Sequence, residues 1–100
     1  MDLALDILNV LNILKDESIK NQDNMRPIFH KYDMLFLGSK FNVINSIELR
    51  HTLESKFNII VDHDKLLVYL DARCEANNMT IEKMISLEDP GIKAYQIYLW

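Results

Sequence analysis

The scarcity of turn-forming residues constrains this chain most: it has two Gly and two Pro in 100 residues. A small all-β sandwich needs turns between many short strands, and those turns draw on Gly and Pro. The chain is therefore predicted to be mostly helical. Its apolar fraction of 49% and charged fraction of 26% are those of a folding globular protein rather than a disordered one. At this length the expectation is a single domain over residues 1–100.

Periodicity locates the helices. Between residues 2 and 16 the polar positions Asp2, Asp6, Asn9, Asn12 and Asp16 recur at steps of three and four, which puts them on one narrow helical stripe. Leu, Ile, Val and Ala stand between them. A helix so widely apolar needs cover, either from the chain's own core, the favoured case, or from a second chain. Lys15–Asn24 reads as a frayed helix end and a loop. Pro27 suits the first turn of a second helix, with Ile28, Phe29, Tyr32, Leu35 and Phe36 on one face and Gly38 as its stop. The aromatic residues share their spacing with aliphatic neighbours, so they are assigned to the core.

Phe41–Ile44 is a short apolar run, a lone strand or an extended link. Asn45 with Glu48 forms a capping-box pattern that opens a third helix through Phe57, aligning Leu49, Leu53 and Phe57 and ending near Asn58. Ile59–Val61 reads as a buried connection. Asp62 is expected to cap a fourth helix to about Asn77, with Leu66, Leu70 and Cys74 facing inward. Residues 79–87 fit either a strand or a short helix capped by Thr80. Asp89-Pro90-Gly91 is a turn signal, and 92–100 reads as a strand apolar on both faces. The predicted fold is mainly α with a C-terminal β-hairpin over 83–99, an α+β arrangement with a four-helix core.

Chemistry has few candidates. His51, His63, Cys74 and the run Asp62-His63-Asp64 are the only residue types from which a nucleophile or metal site could be built, and none has a known spacing. On one helix His63 and Cys74 stand about 16 Å apart, too far to pair. Cys74 falls in the apolar register and is read as a small buried hydrophobe. Asp62 and Asp64 at a helix start serve as cap and dipole partners, and three adjacent residues do not converge on one ion without a special loop. No phosphate loop, nucleophile elbow or metal-binding helix motif occurs. The expectation is a protein without enzymatic activity, cofactor or metal.

A lone Cys allows no internal disulfide. Asp2 and Asp6 stand where a signal peptide has its positive region, and no apolar run reaches the roughly 18 residues of a membrane span. A cytoplasmic setting without membrane contact is expected. Fifteen acidic against eleven basic residues give a formal charge of −4, which disfavours nucleic acid. The imbalance is concentrated: residues 57–92 carry seven acidic side chains against three basic ones. An acidic half suits a basic partner surface, although a solvated polar face would also explain it.

Helix, turn, helix and hairpin over residues 46–100 resemble a winged-helix arrangement in element order. A DNA-reading member would carry basic or amide groups on the second of those helices. Here Asp64, Asp71 and Glu75 outnumber Lys65 and Arg73, and Glu88 and Asp89 stand at the hairpin tip beside Lys93. The leading expectation is thus a protein partner with a basic surface, met by Asp62, Asp64, Asp71, Glu75, Glu82 and Glu88. In length, acidity and setting the chain resembles immunity proteins and antitoxins, inhibitors that mask the substrate cleft of a nuclease toxin. The alternative is a winged-helix DNA-binding regulator or phage-type accessory factor, with Arg50, Lys56, Lys65 and Arg73 meeting phosphates. Both a monomer and a homodimer are compatible with the sequence.

Overall fold

In the computed structural model, described over residues 2–85 and 93–100, four α-helices pack with a three-stranded antiparallel sheet. The elements are α1 (Leu3–Lys20), α2 (Arg26–Tyr32), β1 (Val43–Asn45), α3 (Ser46–Phe57), α4 (His63–Arg73), β2 (Thr80–Ile85) and β3 (Lys93–Tyr98), with a short 3₁₀ turn at Glu75–Asn77. The strand order is β1-β3-β2. The α+β prediction holds, and of the run 41–44, expected as a lone strand or an extended link, Val43 and Ile44 belong to an edge strand of the sheet.

The Asp2 carboxylate accepts the Leu5 amide at 3.2 Å and caps α1. The helix then runs four residues past Asp16, because its last turn is tied to other segments. Ser18 Oγ, fully buried, donates to the Phe41 carbonyl at 2.6 Å, and the Gln22 side-chain amide donates to the Lys40 carbonyl at 2.6 Å. Ile7, Val10, Leu11 and Leu14 enter the chain's own core, as favoured. The apolar surface is narrower in use than its sequence suggests, since Leu5, Ile13 and Ile19 stay exposed.

α2 is shorter than predicted. Asp33 adopts a left-handed conformation (φ 49°) and its N–H returns to the Phe29 carbonyl, which ends the helix at Tyr32. Met34 and Phe36 are still buried, but beyond the helix end, and Leu35 turns outward at 53% exposure. Gly38 is no helix stop. At φ 84° it opens a tight turn in which Leu37 and Val43 exchange backbone hydrogen bonds of 2.7 and 3.2 Å. Phe29 stacks on Phe36 and meets Phe41 edge-on, and Tyr32 stacks on Phe57 at 5.9 Å, so these rings are core, as assigned.

Asn45 caps α3, accepting the Ile47 amide at 2.8 Å in place of the capping-box bond to Glu48. Asn58 closes the helix in a left-handed conformation at φ 55°. In the connection Val61 is buried, whereas Ile60 is 78% exposed. α4 buries Leu66, Leu67 and Leu70, with Cys74 following at its end. Asp62 precedes it without a side-chain cap hydrogen bond, against expectation.

Residues 80–85 are strand, which excludes the short-helix alternative, and the hairpin begins earlier than expected, with Thr80 opposite Tyr98 and Ile85 opposite Lys93. β3 is not apolar on both faces. Tyr95, Ile97 and Leu99 point into the core, while Ala94, Gln96 and Tyr98 lie on the outer face. The turn Asp89-Pro90-Gly91 lies outside the described residues. Beyond β3, Leu99 is fully buried and its amide bonds the Asn42 carbonyl, and Trp100 Nε1 donates to Ser18 Oγ at 3.2 Å. Among the described residues no helix is long and apolar enough to cross a membrane.

Candidate binding surface on helix α4 and strand β2

The leucines that pin α4 to the core leave its opposite side to solvent. Asp64, Val68, Asp71 and Glu75 follow i, i+4, i+7 and i+11, so they share one stripe, and all four are exposed. Asp62 is exposed just before the helix. Four of the six predicted partner-binding residues therefore lie on α4, on its approach and on the 3₁₀ turn that follows it. Val68, 65% exposed in the middle of the stripe, is the apolar member that a charge count passes over.

The lower end of the stripe forms one wall of an open groove of about 600 Å³. Asp71, Glu75 and Asn78 line it from the helix side, and Thr80, Ile81 and Lys83 from β2. Met79, nearly fully buried, supports it between them. Asp71 is the anchored acid: its Oδ2 accepts the Tyr95 hydroxyl at 2.9 Å, and its Oδ1 lies 3.5 Å from Lys83 Nζ. Lys83 also sits over the Tyr95 ring at 5.6 Å. Burial, and then the hydrogen bond to Asp71, push the Tyr95 phenol above its ordinary range. The exposed Lys83–Asp71 pair adds little stability, at most about 1 kcal/mol.

Glu82 is separated from this group. The pleat turns it to the outer face of the sheet, where it accepts the Tyr98 hydroxyl at 3.0 Å. Glu88 lies outside the described residues. The basic residues of the DNA alternative are dispersed: Arg50 pairs with Glu54 along α3 at 3.3 Å, Lys56 is exposed at the end of that helix, and Lys65 and Arg73 stand among the acids of α4.

His63, half-buried, contacts the core rather than another titratable group. Its Nε2 lies 3.0 Å from the hydroxyl of Ser46, which is fully buried and also accepts the Tyr95 amide at 2.9 Å. The Ser46 hydroxyl thus bridges the Tyr95 amide of the central strand and the His63 ring. This junction ties the first turns of α3 and α4 to the central strand. A serine with no exposure cannot reach a substrate, so the pair is structural. His51 makes only an exposed contact with Asp33 at 3.4 Å. Cys74 has no exposure, and burial, then the Asp71 charge, push its thiol up to about 11. Among the described residues no three His, Cys, Asp or Glu side chains converge as metal ligands would.

The buried polar residues Ser18, Ser46 and Thr52 belong to no sequence motif. Thr52 Oγ1 donates to the Tyr32 carbonyl at 2.8 Å and satisfies the end of α2. The only sequence signal for Ser46 and Thr52 is their position beside Leu49 and Leu53 on the inward side of α3. Comparison of the chain with protein-family models, curated proteins and solved structures finds no match.

Proposed function

We propose that this chain is a non-enzymatic protein-binding protein whose α4 surface covers a basic site on a partner, in the manner of an immunity protein or antitoxin. The observation that carries the proposal is the exposed stripe Asp64, Val68, Asp71 and Glu75, preceded by exposed Asp62. A central apolar residue ringed by like charges gives a partner both buried area and a complementary field. A cytoplasmic setting goes with this reading, since a lone buried thiol asks for no oxidising compartment.

A second reading draws support from topology. Helix, strand, two helices and a hairpin, with β1 joined to β3, follow a winged-helix layout in which α4 would enter the major groove. Its weakness is electrostatic, because phosphates would meet the acids of α4 before Lys65 and Arg73.

The test compares two charge reversals of equal size. Asp64→Lys with Glu75→Lys alters the stripe, and Asp16→Lys with Asp23→Lys alters exposed acids elsewhere. Binding of poly-lysine and of a short duplex DNA is measured by fluorescence anisotropy at low ionic strength. The proposal expects poly-lysine binding to fall only for the stripe pair and duplex binding to stay weak in the unaltered chain. Equal losses for both pairs, or tighter binding of the duplex, would contradict it.

A further inference from the structure

We infer that the groove beside β2 receives an extended basic segment of another protein, which joins the sheet as a fourth strand. This rests on the protein-binding reading above and specifies how the partner docks. In the order β1-β3-β2, the described residues leave the outer edge of β2 without a neighbouring strand. That edge is six residues long, against three for β1, whose free side is already partly taken by the Leu37–Val43 bridge. Alternate residues of an edge strand hold their N–H and C=O groups outward, a template that an incoming strand completes.

The groove lies along this same edge. A strand laid on β2 alternates its side chains between two faces. One set enters the groove, over half-buried Ile81 and against the carboxylates of Asp71 and Glu75. Asp71 already shares its charge with Lys83, whereas Glu75 is exposed, so a Lys or Arg on the incoming strand meets a net acidic wall. The other set passes over the outer face beside Glu82 and Met84. An apolar residue alternating with a basic one therefore matches both faces. A second copy of this chain fits poorly: it would bring a formal charge of −4 against its like and set two Asp71–Glu75 walls on one sheet.

The probe is a short acetylated and amidated peptide of alternating Val and Lys, titrated into the full chain at low ionic strength. Two further peptides carry backbone N-methyl groups on alternate residues, one on the Val positions and the other on the Lys positions. Strand addition predicts that the parent binds, that one N-methyl series loses roughly tenfold or more in affinity while the other changes little, and that amide exchange slows within 80–83. Equal affinity of both methylated series would overturn strand addition and leave the protein-binding reading standing. No binding of the parent peptide would also overturn strand addition. A chain that is dimeric by light scattering and releases monomer on peptide addition would replace the inferred occupant with a second copy. Tighter binding of duplex DNA than of the parent peptide would overturn both readings.

Discussion

Tyr95 donates its hydroxyl to Asp71 across 2.9 Å and so joins the central strand to the helix that bears the acidic stripe. Asp71 therefore has two roles, and an exchange there is not a neutral surface change. Asp71→Ala is expected to cost roughly 0.5–1.5 kcal/mol in urea unfolding, because a mostly buried phenol loses its acceptor. Asp64→Ala, with no such bond, should fall within about 0.5 kcal/mol of the parent. Equal shifts for both would show that the Tyr95 bond contributes nothing.

Ser18 holds together three segments that are distant in sequence: the end of α1, the turn at Lys40–Phe41 and Trp100. Ser18→Ala strands the indole N–H and the Phe41 carbonyl together, at a cost of roughly 1–3 kcal/mol. Loss of the indole bond should also move the emission of Trp100, the only tryptophan of the chain. Unchanged stability and unchanged emission would show that the cluster is dispensable.

Phe36 and Leu70 are 2% and 0% exposed and belong to one buried cluster. Replacing either with Ala should cost roughly 2–5 kcal/mol by thermal or urea unfolding. Removing residues 95–100 takes out most of β3, the strand that both neighbours pair with, and should unfold the chain. A truncated chain that keeps its circular dichroism and melting temperature would refute this.

The helices were legible in the sequence because their apolar spacing is local: Leu49 with Leu53, and Leu66 with Leu70, fall where the period of 3.6 puts them. Boundaries set by single residues were not. Asp33 ends α2 in a left-handed conformation that propensity assigns first to a glycine, and the nearby Gly38 serves a different turn. The sheet was half legible. The turn signal pointed to a hairpin over 83–99, but 79–87 fitted a strand or a short helix equally, and the pairing of β1 with β3 joins residues more than fifty positions apart, which no local pattern encodes. The acidic helix was read from charge alone, whereas its apolar centre at Val68 and the separation of Glu82 on the other sheet face needed the three-dimensional pleat.

Cys74, Tyr32, Tyr95 and Tyr98 predict a loss of stability at alkaline pH. The thiol is raised from 9.0 to about 11, and the phenols of Tyr32, Tyr95 and Tyr98 are raised from 10.0. For Tyr32 and Tyr95 burial is the leading cause, and for Tyr98 it is the hydrogen bond to Glu82. Groups raised on folding favour the protonated folded state, so their contribution is complete below 9.0 and is lost as pH climbs toward 11. Urea midpoints should hold steady from neutral pH to about 9 and then fall. Iodoacetamide at pH 8 should label Cys74 only in urea, and rapid labelling of the folded chain would contradict its burial.

The claim that α4 and β2 bind a basic protein segment is tested most directly by heteronuclear NMR on the labelled chain, titrated in parallel with the Val–Lys peptide and a short duplex DNA. The account predicts peptide-induced shifts clustered at Asp64–Glu75 and Thr80–Lys83, with little response to the duplex. Shifts confined to Arg50, Lys56, Lys65 and Arg73 on adding duplex, with none at Thr80–Lys83 on adding peptide, would contradict it.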